Sequence, residues 1–264
     1  MNAFKQLLAG ATARTPVGTW IMSASPLVAE AVGHAGADWA VVDMEHTPLD
    51  LMGVVHLLQA LSGTRCAPVV RVPWNDTVTI KRVLDAGAQT LMVPFVQSAD
   101  EARAAVAATR YPPLGVRGMA AMSRASRFGT VPSYFDAAND DVCVIVQVET
   151  PAAIECIEQT AGVPGVDALF VGPGDLSGAL GLPGRTGDPR VMDACALAVR
   201  RAKAAGVPIG TVGGTPDAVA QYRAMGFDYV GIASDLGLLM RALQAAMASV
   251  RGAPAAAPAP QGGY

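Results

Sequence analysis

The sequence predicts an α/β fold, a single-domain TIM (β/α)8 barrel, on three observations. Eight short apolar runs alternate with amphipathic stretches through about 250 residues, which is the strand count and length of that fold. A glycine separates helix from strand at five junctions, in "HAGADWAVV", "DAGAQTLMV", "VPGVDALFV", "AAGVPIGTV" and "AMGFDYVGI". The apolar run after each glycine is short and bounded by turn signals, as a buried parallel strand should be.

Taken in order, the first predicted strand is "GTWIMS" (18–23). The second, "WAVVDME" (39–45), follows Gly36, and the third is "APVVRVP" (67–73). "TLMVPFV" (90–96) follows Gly87 and precedes "CVIVQVE" (143–149). "ALFVGP" (168–173), "PIGTVG" (208–213) and "YVGIAS" (229–234) follow Gly165, Gly206 and Gly226. Each glycine is placed to take the left-handed conformation that closes a helix. Between strands, "DLMGVVHLLQAL" puts Leu51, Val54, Val55, Leu58 and Leu61 at helical spacing. A doubly wound open sheet is the competing architecture, but six strands would be more usual for it.

Two segments break the period. Residues 110–141, carrying Arg117, Arg124 and Arg127, are too long for an ordinary connection and are expected to be functional or interfacial. The barrel domain is expected to span 1–251, before an Ala/Pro/Gly-rich tail, 252–264, expected to be disordered.

Composition excludes several classes. A net charge of -3, without a run of Lys or Arg, argues against nucleic acid as partner. No apolar run approaches the ~20 residues of a membrane helix, and no secretory leader is recognisable. The four cysteines, Cys66, Cys143, Cys156 and Cys195, form no C-x-x-C pair and read as reduced thiols. A cytoplasmic location is the resulting expectation.

Barrel chemistry sits where strands end. There the sequence places Asp43, Glu45 and His46 in "VVDMEHTP", Arg71 in "VVRVP", Gln147 and Glu149 in "QVET", and Asp175 and Ser177 in "GPGDLS". Glu149 and Asp175 are hard oxygen donors that suit Mg²⁺ or Mn²⁺. Equally, Glu149 could cap the helix begun by "ETPAAIE", and Asp175 a turn. His46 is the only one of three histidines at a strand end, equipped for general base work or simply structural. His34 suits the last turn of a helix, and His56 lies mid-helix. Arg71 must bind an anion or pair internally with Asp43 or Glu45. Only Lys5, Lys81 and Lys203 are present, none at a strand end, so Schiff-base chemistry lacks a nucleophile. A metal Lewis acid remains to stabilise a carbanion.

"VDMEHTP", "VVRVPWND", "LDAGAQTLMVPFVQSADEA", "RYPPLGVRG", "QVET" and "FVGPGDLS" together resemble the metal-dependent pyruvate aldolases of the HpcH/HpaI family, from about residue 16 to 245. The resemblance implies reversible cleavage of a 2-oxo-4-hydroxy acid to pyruvate and an aldehyde through an enolate held on a divalent metal (Mg²⁺, Mn²⁺ or Co²⁺). It implies Glu149 and Asp175 as metal ligands, His46 as base, and Arg71 as the transition-state cation. Gln147 matches a substrate contact, and the backbone around Gly174 and Asp175 the pyruvate carboxylate site. Asp85 matches an aspartate that raises the basicity of the histidine, and Asp43 stands in the same constellation. Asp85 precedes the fourth strand, at the end opposite its own active site. It would therefore reach His46 of a neighbouring subunit, in keeping with a homohexamer built as a trimer of dimers. The alternatives are a related metal-dependent lyase acting on a CoA thioester or phosphonate-type substrate, a phosphosugar enzyme using "GTVGG" (210–214), and a non-catalytic barrel.

Overall fold

The computed structural model describes residues 2–11 and 14–252. Eight parallel strands close into a barrel in chain order: β1 (Val17–Ile21), β2 (Trp39–Asp43), β3 (Ala67–Arg71), β4 (Thr90–Val93), β5 (Cys143–Val148), β6 (Ala168–Val171), β7 (Ile209–Gly213) and β8 (Tyr229–Ser234). β8 pairs with β1 to complete the ring, with a register shift between Gly18 and Trp20. All eight predicted strands are present. Most end earlier than the apolar runs suggested, because the chain leaves the ladder to aim its polar residues into the mouth. Glu45 and Glu149 thus lie just beyond their strands.

Twelve helices surround the described strands: α1 (Ala3–Gly10), α2 (Pro26–His34), α3 (Leu51–Leu61), α4 (Thr77–Asp85), α5 (Ala99–Thr109), α6 (Tyr134–Asp141), α7 (Pro151–Glu155), α8 (Ile157–Ala161), α9 (Pro173–Ala179), α10 (Pro189–Ala204), α11 (Pro216–Met225) and α12 (Asp235–Val250). Polar caps start most of them. Ser25, Asp76, Ser98, Thr150, Thr215 and Ser234 each accept an amide of the first turn. The five junction glycines all take positive φ, from +71° at Gly206 to +104° at Gly226, a region L side chains disfavour.

Inward-facing residues fill the barrel in layers. Trp20, Trp39, Phe170 and Tyr229 are wholly buried, and glycines on neighbouring strands make room for them. A Cβ on Gly18 would lie 2.2 Å from the Trp39 ring, and one on Gly210 2.3 Å from Tyr229. α1 plugs the N-terminal end of the barrel. Phe4 packs edge-on against Trp39 and Tyr229, at centroid distances of 5.9 and 5.4 Å. Asn2 donates to the carbonyls of Gln89 and Asp141. The other end is therefore the one open to ligands.

The segment predicted to interrupt the period does so. It runs from the end of α5 to β5 and contains α6. Of the predicted tail only Gly252 is described; 253–264 lie outside the described residues. Among the described cysteines, Cys66, Cys143 and Cys195 are buried and all four are free. No described helix is long and apolar enough to cross a membrane.

Candidate active site

The period-2 alternation of the strands decides which residues face inward. On β2, Trp39 and Val41 point into the barrel core, so Asp43 continues that row at the open end. On β3, Ala67 and Val69 do the same, and Arg71 is next. The β2–β3 register sets Asp43 directly beside Arg71. On β5, Cys143 and Ile145 lead to Gln147 and then Glu149. Four predicted site residues thus share the top of one barrel.

Arg71 is fully buried, as is Asp43. Its Nε donates to Asp43 Oδ1 at 2.9 Å and Nη2 to Oδ2 at 2.8 Å, a two-pronged pair. Nη1 lies 3.0 Å from Glu45 Oε2, and the Trp20 ring lies 5.9 Å from the guanidinium carbon. Arg71 therefore pairs with both carboxylates that the sequence offered it. Asp43 Oδ1 also accepts the Glu45 amide at 3.0 Å, which fixes the turn after β2. Glu45 reaches on to His46, whose Nε2 is 3.8 Å away. Burial pushes the Glu45 carboxyl up, against the pull of Arg71 and His46. The His46 side chain is 50% exposed, so this chain of charges runs from the barrel interior out to solvent.

Glu149 is 2% exposed and does not cap a helix. Thr150 caps α7 instead, accepting the Ala153 amide. The Glu149 carboxylate takes the Phe95 amide on Oε2 at 2.9 Å and the Gln147 side-chain amide on Oε1 at 2.7 Å. Its carboxyl is pushed up to about 8, first by burial and next by the negative charge of Asp175. Gln147 is fully buried, and its own carbonyl oxygen finds no donor. Asp175 sits exposed in the first turn of α9, where Gly172 and Pro173 turn the chain across the mouth. A side chain on Gly174 would meet nothing within 4 Å, so that turn faces open space.

Two contributors carried no signal that sequence reasoning used, and a third had only its pairing left open. Gly172 leaves the space that Glu149 fills, since a Cβ there would lie 2.4 Å from Oε1. Phe95 holds a left-handed φ of +54°, unusual for a bulky residue, while its amide binds Glu149. Glu45 links Arg71 to His46. Gly172 could have been found because it continues the inward parity of β6 one residue past the strand; Phe95 could not.

Asp85 is not brought to His46 within this chain. It ends α4, ahead of β4, and pairs with Arg117 at 2.7 Å. Two glycines of "GTVGG" have a packing reason: a Cβ on Gly210 would lie 2.3 Å from Tyr229, and one on Gly213 3.0 Å from the Val219 amide nitrogen of α11. Among the described residues no group of three or more His, Cys, Asp or Glu is arranged to hold a metal. Any cation at this mouth would take two protein carboxylates and complete its shell from water or substrate.

Comparison with known proteins identifies the family. Residues 16–242 match the family model for HpcH/HpaI aldolase/citrate lyase. The chain is 48% identical over 237 residues to the 2-dehydro-3,6-dideoxy-6-sulfogluconate aldolase of Pseudomonas putida, covering 90% of this chain and 93% of that one. It is 42% identical over 243 residues to the 5-keto-4-deoxy-D-glucarate aldolase of Enterobacter sp. (strain 638), covering 92% and 94%. The crystal structure of an HpcH/HpaI aldolase/citrate lyase family protein from Burkholderia cenocepacia J2315 superposes with a TM-score of 0.91 at 41% identity, over 95% of this chain and 100% of that one. The chain therefore belongs to the HpcH/HpaI aldolase/citrate lyase family, as a carbon–carbon lyase of the aldolase kind.

Proposed function

We propose that the protein reversibly cleaves a 2-oxo-4-hydroxy acid to pyruvate, or a close 2-oxo acid, and an aldehyde. The observation that carries this reading is the meeting, at one barrel mouth, of a buried Glu149–Gln147 pair with the Asp43–Arg71–Glu45–His46 chain. The first is a buried carboxylate pushed toward its neutral form by burial and by Asp175, and the second ends in a histidine open to solvent.

The donor set fits a divalent cation. Burial, and next the charge of Asp175, make Glu149 resist ionisation, and Asp175 is exposed beside open space. Two carboxylates with room for water and substrate oxygens suit Mg²⁺, Mn²⁺ or Co²⁺. Such an ion supplies Lewis-acid polarisation of the 2-oxo group. The chain's own residues do the rest. His46 takes the proton of the 4-hydroxyl, with Glu45 orienting the imidazole. The C3–C4 electron pair then moves toward the 2-oxo carbon as C4 leaves in the aldehyde, the buried charge of Arg71 favours the enolate oxygen that develops, and protonation at C3 gives pyruvate. Gln147 steadies Glu149 and offers its carbonyl oxygen to the bound acid or a water. The first-turn amides of Gly174 and Asp175, which have no partner within the helix, receive the substrate carboxylate.

A coupled assay tests this. Incubation with racemic 4-hydroxy-2-oxopentanoate and Mn²⁺ should release pyruvate, read by NADH consumption with lactate dehydrogenase. EDTA should abolish release, and His46→Ala should lower kcat by about 10²–10⁴-fold. Turnover of a CoA thioester in place of the 2-oxo acid would overturn the assignment and support the lyase alternative.

The protein acts as a homo-oligomer, read as a hexamer arranged as a trimer of dimers. The support is α12, which exposes Leu236, Leu238, Leu239, Met240, Leu243 and Met247, a row of large apolar side chains on one helix of the kind that marks an interface. In that assembly Asp85 would act on the partner subunit's His46. Leu239→Asp with Leu243→Asp should drop the mass measured by multi-angle light scattering from six chains to a dimer or trimer; an unchanged mass would exclude α12 from the interface.

A further inference from the structure

The loop after β4 is tied to the end of β5 residue by residue. The Phe95 amide donates to Glu149 Oε2 at 2.9 Å, and the Val96 amide to the Gln147 carbonyl at 3.2 Å. Gln97 accepts the Thr150 hydroxyl on its side-chain oxygen, and its own amide donates to Glu101 at 2.6 Å. Three consecutive residues are thus fixed against the segment that carries Glu149. The Glu149 carboxylate also lies against Gly172, where a Cβ would not fit.

Phe95 is the odd member of this set. Its φ of +54° is one that a bulky side chain rarely adopts, and such strain persists only where the surroundings over-determine it. Glycine or asparagine would take that conformation at less cost. Core burial does not explain a Phe here, because the residue is 41% exposed. Its ring stacks on Trp74 of the loop after β3, with centroids 6.0 Å apart and planes 25° from parallel. Trp74 is exposed as well, and its loop is anchored. The Trp74 carbonyl accepts the Asp76 amide at 2.9 Å, and Asp76 caps α4. The stack therefore joins two fixed loops across the rim, one leaving the strand of Arg71 and one binding Glu149.

We propose that Trp74 and Phe95 are positioning residues for the cation site. Their stack holds the Phe95 peptide in the left-handed conformation, and that conformation aims the amide at Glu149, so the carboxylate is set before a cation arrives. Without the stack Phe95 can relax to negative φ, which turns the amide away. The proposal rests on the reading of Glu149 as a cation ligand.

Mn²⁺ binding to the full chain without substrate tests it, with the free ion counted by electron paramagnetic resonance and folding checked by circular dichroism. Phe95→Val, whose β-branch disfavours positive φ, should weaken binding by about 10-fold or more, the usual effect of losing support for a metal ligand. Phe95→Asn loses the ring but tolerates the conformation, and should retain most of the affinity. Trp74→Ala changes an exposed side chain and so reads the effect even if Phe95→Val fails to fold. It should weaken binding by about 2- to 10-fold, the worth of one aromatic pair. In the Phe95→Asn background the same change should have no effect, because the stack is already gone. Equal affinity in Trp74→Ala and the parent would overturn the proposal, and a raised KM for the aldehyde in that variant would make the pair a substrate contact instead. So would Phe95→Asn binding as weakly as a folded Phe95→Val, or Trp74→Ala acting equally in both backgrounds. A parent that binds Mn²⁺ no better than Glu149→Ala would remove the cation reading itself, and the proposal with it.

Discussion

Arg71→Met is expected to destabilise the protein by about 3–5 kcal/mol, the usual cost of leaving buried charges without their partner. Arg71 and Asp43 are both inaccessible to solvent, and Glu45 is 17% exposed. Removing the guanidinium strands one carboxylate completely and a second in large part, and neither has another cation within ion-pair reach except His46 beside Glu45. Urea unfolding would show the loss as a lower midpoint at unchanged m. The same variant should lower kcat more than it raises KM, because Arg71 acts on charge that develops during the reaction. The two effects separate in a triple variant. Adding Asp43→Leu and Glu45→Met removes the stranded carboxylates and should recover much of the stability but none of the rate. A single variant within 1 kcal/mol of the parent would show that water reaches Asp43, contrary to its burial.

The fold was legible because its period is written in apolar runs and junction glycines. Gly36, Gly87, Gly165, Gly206 and Gly226 each turned out left-handed, since no other residue takes that conformation without strain. Strand ends were less legible. "VVDME" and "VQVE" look continuous with their strands, yet Glu45 and Glu149 fall outside the ladder. Hydrophobicity reports burial, and the barrel mouth is buried beyond the last ladder hydrogen bond.

The site was legible to the extent that polar residues at strand ends are rare enough to notice. Asp43, Arg71, Gln147 and Glu149 share inward parity and converge as expected. The partition of Arg71 between Asp43 and Glu45 was open in the sequence, because either carboxylate lies within reach; the structure gives it both. The capping alternative for Glu149 failed because Thr150 is the better cap and stands one residue later. Phe95 was invisible, since its contribution is a backbone amide held at positive φ, and a side-chain pattern says nothing about that. Asp85 shows the limit most plainly. One chain can place it with Arg117, while a role beside a histidine needs a second chain.

Glu149→Ala is expected to abolish divalent-cation-dependent exchange of the pyruvate methyl protons for deuterium, followed by NMR in D₂O. The loss should exceed about 100-fold, the upper range for losing even a group that only supports a metal ligand. The assay reads enolisation alone and so requires no aldehyde. The argument rests on where Glu149 sits. Its two oxygens are held by the Phe95 amide and the Gln147 side chain, yet burial and Asp175 still push its carboxyl up to about 8. A carboxylate so disposed is poised to accept a cation. The same shift predicts a pH dependence in EDTA. The folded pKa lies above the unfolded value, so between about 4.5 and 8 the folded state keeps a proton that the unfolded state has released. Stability from this group is therefore greatest at the acid end and falls as pH rises through that window. Glu149→Gln should flatten that part of the profile, and added Mn²⁺ should reverse it, because cation binding displaces the proton. Exchange that persists in Glu149→Ala would move the enolising centre elsewhere, and a slope of opposite sign would mean that Glu149 is already ionised by a cation the chain itself supplies.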